Sequence, residues 1–210
     1  MANLTDLTSK EFLTELASAA PAPGGGGGAA MAGALAAALS SMVCNLTLGK
    51  EKFAAQEAEV QAVLVKAERA REHLLELVQE DAAVFNSFMS CYKLPKATDE
   101  EKAARTAAIR AAAKKAAEVP LAIARESFAV LELADELVVC GNPGVITDGA
   151  CSGLLARAAL RCAEYNVRIN LGLTKDAEWN AQVQAELEAM LTQAEALEAK
   201  LLAVTDKALA

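Results

Sequence analysis

The chain has 210 residues, of which 54% are hydrophobic and only 4% aromatic, and it carries a net charge of −8. It has five prolines and is rich in Ala, Leu, Glu and Lys, which favours an all-helical protein because these four residues are strong helix formers. Proteins bind the phosphate backbone mainly through Lys and Arg, so the acidic balance argues against nucleic acid as a partner.

The sequence also disfavours a secreted protein and a metal-binding protein. The N-terminus has no basic stretch followed by an apolar core, so we expect no signal peptide and a cytoplasmic location. The chain has one histidine and no Cys-x-x-Cys motif, and we therefore predict no metal site.

The N-terminal helix is marked by a capping box. Thr8 and Glu11 stand three residues apart before an apolar pattern, which predicts a short helix over residues 9–19. Pro21 and Pro23 are expected to end it.

An uncharged segment follows a run of five glycines, Gly24 to Gly28. Residues 29–48 contain no charged side chain, and a helix that is apolar on every side must be covered by other elements. The segment is also long enough to span a bilayer. It consists mainly of Ala, Gly and Ser, without an aromatic belt or a basic flank, so we predict a buried helix over 29–49 and no membrane association.

The next helix carries an apolar seam. From Glu51 onward, apolar residues recur in steps of four and three between Val63 and Phe88, as is typical of a helix in a bundle. Position 81 of this seam is Asp. A second capping box, Thr98 with Glu101, predicts the start of the following helix.

The C-terminal half contains a second apolar helix. Pro120 predicts a new helix over 121–140, because proline is accommodated in a first turn or else kinks the helix. The segment 141–144 predicts a turn, after which Thr147 or Asp148 would cap an apolar helix over 149–173.

A last helix with a long seam is expected to begin at Thr174. The sum is one all-α domain over 1–210, a bundle of six to eight helices in which long amphipathic helices enclose two apolar ones. A seam that continues to the end of the chain suits a dimer as well as packing within one chain.

Asp81 is the most informative single residue. A carboxylate in an apolar stripe is costly unless it is hydrogen-bonded or paired, and desolvation raises its pKa toward the range useful for proton transfer. A general acid/base needs that property. A structural Asp that is satisfied by a helix N-terminus or by an Arg would give the same pattern, so the residues alone leave both interpretations open.

The glycine run also has two interpretations. Glycine lets the backbone approach a ligand closely, and the free N–H groups of a helix N-terminus attract polar or anionic groups. This makes Gly24, Gly25, Gly26 and Gly27 candidate binding residues, and a plain hinge is the alternative.

Two asparagines and two charged residues complete the candidates. Asn166 and Asn170 share one face of the second apolar helix, where their amides could bind a polar heterocycle or hydrogen-bond each other across helices. Asp148 is most simply an N-cap, and Lys50 is most simply a cation at the C-terminal end of the helix before it.

Six short segments carry a resemblance to a known family, in the same order and at matching spacing. They are Pro23-Gly-Gly-Gly-Gly, Asn45-Leu-Thr-Leu-Gly-Lys50, Asp81-Ala-Ala-Val-Phe85, Leu94-Pro-Lys-Ala-Thr-Asp-Glu-Glu-Lys102, Cys140-Gly-Asn-Pro and Asn166-Val-Arg-Ile-Asn170. By these motifs the chain resembles the cyclodeaminase/cyclohydrolase family, which includes the C-terminal domain of formiminotransferase-cyclodeaminase and stand-alone bacterial enzymes.

The resemblance implies an all-helical homodimer that acts on one-carbon derivatives of tetrahydrofolate, without metal and without a cofactor beyond the folate substrate. It implies that Asp81 is the catalytic proton donor and acceptor. We expect Lys50, Asp148, Asn166 or Asn170 near Asp81, from the same subunit or its mate, as folate-binding residues. The family commonly has Ser or Thr where this chain has Gly27, so any contact of that hydroxyl is absent here or replaced by backbone.

By this resemblance we expect a formimidoyltetrahydrofolate cyclodeaminase, which converts 5-formimino-tetrahydrofolate to 5,10-methenyl-tetrahydrofolate and ammonia. The alternative is a methenyltetrahydrofolate cyclohydrolase, which interconverts the 5,10-methenyl and 10-formyl forms. A non-enzymatic helical dimerisation module is a third interpretation.

Overall fold

The computed structural model describes residues 3–210, and within them the chain forms six α-helices, short connections and three single-turn or two-turn 3₁₀ helices. The all-helical prediction is confirmed. The helices are α1 (Ser9–Leu16), α2 (Gly25–Asn45), α3 (Glu57–Cys91), α4 (Asp99–Cys140), α5 (Ile146–Thr174) and α6 (Ala177–Leu209).

Both capping boxes form. Thr8 Oγ1 accepts a hydrogen bond from the Glu11 N–H, and the Glu11 carboxylate accepts one from the Thr8 N–H, so α1 begins at Ser9 as predicted. It ends at Leu16, three residues earlier than expected. Thr98 and Glu101 start α4 in the same way.

Helix α2 begins earlier than the sequence suggested. Glycine lowers helix propensity, and we expected the helix to start at residue 29. In the structure Gly25 to Gly28 form the first turn, and α2 ends at Asn45 instead of residue 49. Gly26 and Gly27 are buried against α3, and this tertiary packing stabilises a turn that the local sequence alone would not favour.

Helix α4 continues through Pro120, and the prediction of a new helix at residue 121 is wrong. Proline has no N–H, so the carbonyl of Ala116 loses its helical donor. That carbonyl instead accepts a hydrogen bond from Asn170 Nδ2 of α5 at 3.0 Å. A side chain from a neighbouring helix therefore replaces the missing hydrogen-bond donor. No pattern within the α4 sequence could have predicted this.

Helix α5 begins at Ile146 with Val145 at the N-cap, so Thr147 and Asp148 lie in its first turn and do not cap it. The preceding turn is held by Asn142, whose amide donates to the Leu46 carbonyl and accepts from the Gly144 N–H. The last helix follows Asp176, which accepts the Trp179 N–H, and does not begin at Thr174.

Helix α2 lies against α3, α4 and α5 and runs antiparallel to α5, since its N-terminal end is near Asn166 and Ser40 meets Ser152. Its length and composition would allow it to cross a membrane, but 61% of its apolar 18-residue stretch is buried within the fold. One chain does not cover it completely. Leu35 and Met42 keep 55% and 41% of their surface exposed, so the expected enclosure on all sides is incomplete.

A buried hydroxyl pair joins the two apolar helices. Ser152 Oγ donates to the Ala36 carbonyl at 2.7 Å and lies 2.8 Å from Ser40 Oγ, and both serines are fully buried. Ser152→Ala removes both hydrogen bonds and leaves the buried Ser40 hydroxyl without its partner, so it is expected to lower the free energy of unfolding by about 1–3 kcal/mol. Urea unfolding measures it. Ser90→Ala, an exposed serine that bonds only its own helix, should change little, and equal stability of the two variants would contradict the assignment.

Candidate active site

A cavity of about 310 Å³ lies where the N-terminal end of α2 meets α3, α4 and α5. Most of its lining is apolar, and its polar groups come from the residues that the sequence singled out. This is the composition expected of a small-molecule site, with few polar groups in an apolar wall. The lining residues include Gly24, Gly25, Gly26, Asp81, Val84, Phe85, Phe88, Ala116, Val119, Pro120, Asn166, Ile169, Asn170 and Leu173.

Asp81 reaches from α3 to the first turn of α2. Its Oδ2 accepts the backbone N–H of Gly27 at 2.9 Å. Gly27 is the third residue of α2, and its N–H is one of those that a capping side chain normally accepts. Gly24, the N-cap, has no side chain to do so. Asp81 therefore acts as a capping residue from another helix.

The second carboxylate oxygen of Asp81 is available to a ligand. Among residues 3–210 no group donates a hydrogen bond to Oδ1, and the side chain lines the cavity. Burial raises the pKa of Asp81, and the Gly27 N–H lowers it by less, so the net shift is upward. A carboxyl group in this environment holds a proton more readily than an exposed one, which suits a general acid/base.

The glycine at position 26 is required by Asp81 itself. A Cβ built on Gly26 would overlap the carboxylate, coming within 2.6 Å of Asp81 Cγ. A Cβ on Gly25 would instead make ordinary contact with the Asn166 amide at 3.4 Å, and one on Gly24 would meet no atom of residues 3–210 within 4 Å. We expected the glycine run to let the backbone come close to a ligand. At Gly26 the group that the backbone comes close to is the Asp81 carboxylate.

Asn166 and Asn170 lie on the cavity wall, one turn apart on α5. Asn166 Nδ2 donates to the Cys162 carbonyl at 2.8 Å. Asn170 Nδ2 donates to both the Ala116 and the Asn166 carbonyl, at 3.0 and 2.8 Å. The two amides do not bond each other's side chains, so the interpretation in which they pair is not what the structure has. Asn170 instead crosses to the backbone of α4.

Aromatic side chains form one wall of the cavity. Phe85, one turn after Asp81, is 36% exposed, while Phe88 is buried and packs edge-on against Tyr92. A flat ring bound in the cavity could stack on such faces. Phe85 belongs to the Asp81–Phe85 motif, but sequence reasoning assigned it no role. Pro120 was also missed, since it was interpreted only as a helix boundary.

Lys50 and Asp148 lie at the other end of the bundle. Lys50 follows the C-terminus of α2, and this helix of 21 residues is about 30 Å long. Asp148 is in the first turn of α5, whereas Asn166 and Asn170 are near its end. Within one chain Lys50 and Asp148 are therefore far from Asp81, whereas Asn166 and Asn170, the other two residues expected near it, line the same cavity. Lys50 and Asp148 lie beside the turn at Asn142.

In the described part of the chain, no three His, Cys, Asp or Glu side chains come close enough together to hold a metal ion.

The chain was compared with known proteins. The family model of formiminotransferase-cyclodeaminase matches residues 8–189. A methenyltetrahydrofolate cyclohydrolase from Methylorubrum extorquens is 45% identical over 190 residues, which cover 90% of this chain and 91% of that protein. The formimidoyltransferase-cyclodeaminase of Sus scrofa is 33% identical over 88% of this chain, but the match covers only 34% of that longer protein.

A solved structure agrees with the fold. The formiminotetrahydrofolate cyclodeaminase of Thermotoga maritima superposes with a TM-score of 0.88 at 28% identity, covering 99% of this chain and 100% of that one. The resemblance found in the sequence motifs is thereby confirmed. The family match over most of the chain and the 45% identity to one member show that the chain belongs to the formiminotransferase-cyclodeaminase family.

Proposed function

We propose that the protein is a methenyltetrahydrofolate cyclohydrolase in which Asp81 is the general acid/base. The observation that carries the proposal is the state of this carboxyl group: one oxygen is fixed by the Gly27 N–H, and the other is free at the wall of a largely apolar cavity. The identity of 45% to a cyclohydrolase favours this activity over the cyclodeaminase that we first expected.

One carboxyl group suffices for the proton transfers of the reaction. As water adds to the methenyl carbon between N5 and N10, the Asp81 carboxylate accepts one of its protons. The tetrahedral adduct then collapses: the C–N5 bond breaks, the remaining hydroxyl loses its proton to solvent and becomes the formyl C=O, and Asp81 returns its proton to N5. The products are 10-formyl-tetrahydrofolate and one released proton, and Asp81 ends as it began.

The volume and the lining of the cavity support a ring system as its occupant. Its volume is at the lower end of the range for small-molecule sites, which suits the fused-ring head of a reduced folate with the tail extending outward. Phe85 and Phe88 offer aromatic faces to that head. We expect no cofactor beyond the folate, and a cytoplasmic location remains a prediction.

Cyclodeaminase activity is the second candidate, favoured by the superposition on the Thermotoga maritima enzyme over the full length of both chains. There N10 would attack the amidine carbon on N5, and ammonia would leave from a similar tetrahedral carbon. The same carboxyl group could accept the proton of N10 and protonate the leaving nitrogen.

Separate incubation with the two substrates distinguishes the activities. Purified protein is given 5,10-methenyl-tetrahydrofolate or 5-formimino-tetrahydrofolate, and the methenyl absorbance is followed. We expect loss of absorbance faster than the spontaneous rate with the first. Appearance of absorbance with the second alone would replace the proposal by the cyclodeaminase, and no change with either would overturn both.

Asp81→Asn is expected to lower turnover by on the order of 10²- to 10⁴-fold, because an amide keeps the bond to Gly27 but cannot exchange a proton.

The same variant has a predicted effect on stability. Burial raises the pKa of Asp81 in the folded chain, so the stabilisation that protonated Asp81 gives the fold is lost as pH rises through that pKa. At pH 7 the variant should therefore unfold at the same or a higher temperature than the wild type. Activity retained within a few-fold, or loss of the folded state, would mean that Asp81 serves only as a cap for α2.

Gly26→Ala tests the placement of the carboxyl group. The new Cβ would displace Asp81, so kcat should fall on the order of 10²-fold, the loss expected for a misplacement of about 1 Å. Gly28→Ala is the matched control in the same helical turn, because its Cβ would meet only Leu16 Cδ2, at 3.9 Å. It should keep its activity. Equal kinetics of the two variants would contradict the requirement for glycine at position 26.

We also propose a homodimer in which each site is completed by the partner. Two neighbouring helices leave apolar stripes exposed, Leu35 and Met42 on α2 and Leu154, Tyr165 and Ile169 on α5. A second copy could pack on these helices through a two-fold axis perpendicular to them. Lys50 of the second copy would then lie near Asp81 of the first. This accounts for site candidates that lie about 30 Å apart in one chain.

Complementation between two inactive variants tests this arrangement. If Lys50→Ala abolishes activity, mixing it with Asp81→Asn under conditions that exchange subunits should restore about one quarter of the wild-type activity, since half the dimers are mixed and each keeps one intact site. Full activity of Lys50→Ala, or no recovery on mixing, would exclude the shared site.

Sedimentation gives an independent test of the dimer. Leu35→Glu should raise the dissociation constant at least tenfold, because a charge would be buried in the interface. Val65→Glu, at an equally exposed apolar residue of α3, is the control and should not change it.

A further inference from the structure

The path of α4 past Pro120 leaves one backbone acceptor without its usual donor. In an unbroken helix the N–H of residue 120 would bond to the carbonyl of Ala116, and proline has no N–H. Asn170 Nδ2 occupies this carbonyl at 3.0 Å. Pro120, Ala116 and Asn170 all line the cavity that contains Asp81, so the irregularity lies at the proposed site.

Two backbone carbonyls, those of Ala116 and Asn166, fix the orientation of the Asn170 amide. A primary amide has two N–H donors, and Asn170 Nδ2 donates to both the Ala116 and the Asn166 carbonyl. If the amide were flipped, its oxygen would face two carbonyl oxygens and both hydrogen bonds would be lost. Asn170 Oδ1 is therefore the group left over, and among residues 3–210 no side-chain or capping bond involves it.

The neighbouring amide of Asn166 still has an unused donor. Asn166 Nδ2 donates to the Cys162 carbonyl, and this uses one of its two N–H groups. One N–H of Asn166 remains for a ligand. On the wall of the cavity the pair thus has an unused acceptor, Asn170 Oδ1, and an unused donor on Asn166 Nδ2, about one helical turn apart.

We propose that Pro120 is a positioning residue that holds Asn170 as a pure hydrogen-bond acceptor, and that Asn170 Oδ1 binds an N–H donor of the reduced pterin head. This rests on the proposed folate substrate, whose fused ring carries such donors at N3, N8 and the 2-amino group. The adjacent ring carbonyl at C4 is a matching acceptor for Asn166. The head would then be bound by two directional contacts opposite the phenylalanine wall.

The proposal predicts that Pro120 and Asn170 act as one unit. Pro120→Ala supplies an N–H that competes for the Ala116 carbonyl, so the amide of Asn170 loses one of its two fixed partners. Asn170→Ala removes the acceptor itself and leaves the Ala116 carbonyl unpaired. In the double variant the new N–H of residue 120 satisfies this carbonyl, but there is no amide left to orient.

Calorimetric titration with 5-formyl-tetrahydrofolate, a stable reduced folate, tests this on the full chain. We expect Kd to rise about tenfold for Asn170→Ala, the effect of one lost hydrogen bond, and by a smaller factor for Pro120→Ala. The double variant should bind no more weakly than Asn170→Ala and should unfold at a higher temperature than it. A purely structural role of Pro120 would instead give losses of affinity that multiply in the double variant, and that result would overturn the proposal.

A matched control separates loss of stability from loss of binding. Asn180 also donates its amide to a backbone carbonyl, that of Leu171 at 2.9 Å, but it lies outside the cavity. Asn180→Ala should lower the unfolding temperature and leave Kd unchanged. If the wild type binds the probe and consumes methenyl-tetrahydrofolate but Asn170→Ala binds equally well, only this inference fails. If the wild type neither binds nor reacts, the proposed function fails with it.

Discussion

The hydrogen bond from the Gly27 N–H to Asp81 is the constraint on which the site depends. It joins the first turn of α2 to the middle of α3, and it needs two unusual features at once: a helix start without side chains and a carboxylate in an apolar seam. Each feature is unfavourable alone, since glycine lowers helix stability and a buried carboxylate loses its hydration. Together they satisfy each other, because the free N–H of the helix start is the donor that the carboxylate lacks.

This arrangement makes the structural and the chemical interpretation of Asp81 compatible. One oxygen caps α2, and the other remains free in the cavity, so the same side chain can hold the helix start and exchange protons. The cap also restrains the carboxyl group, because its position is tied to the backbone of Gly27 and to the surface of Gly26. A general acid/base benefits from such restraint, since proton transfer requires hydrogen-bond distance to the reacting atoms.

A second irregular position of the backbone, in α4, is also satisfied by a side chain from a neighbouring helix. Pro120 removes a donor from α4, and Asn170 replaces it from α5. In both cases an irregular backbone is satisfied by a side chain of the neighbouring helix, and in both cases the side chain keeps a free oxygen in the cavity. The local departures from regular helix chemistry therefore concentrate at one end of the bundle, where the four helices meet, while the hydroxyl pair of Ser40 and Ser152 joins α2 and α5 farther along.

Sequence patterns were sufficient to predict the helical class, the capping boxes at Thr8 and Thr98, the buried seam of α3 and the candidate carboxylate, because each depends on residues within a few turns of one another. The motifs also identified the family. Asn170 was recognised as a candidate but its partner was not, since the Ala116 carbonyl is 54 residues away and its need for a donor arises only when α4 continues through Pro120.

Packing between helices sets where α2 begins, whether α4 breaks, and which candidate residues share a cavity. Glycine and proline are poor helix residues in isolation, and their local propensity predicted boundaries that packing overrode. Lys50 and Asp148 were grouped with Asp81 by motif, yet the lengths of α2 and α5 place them at the far end of the same chain. Distance in a bundle follows from helix length and direction, and a list of motifs contains neither.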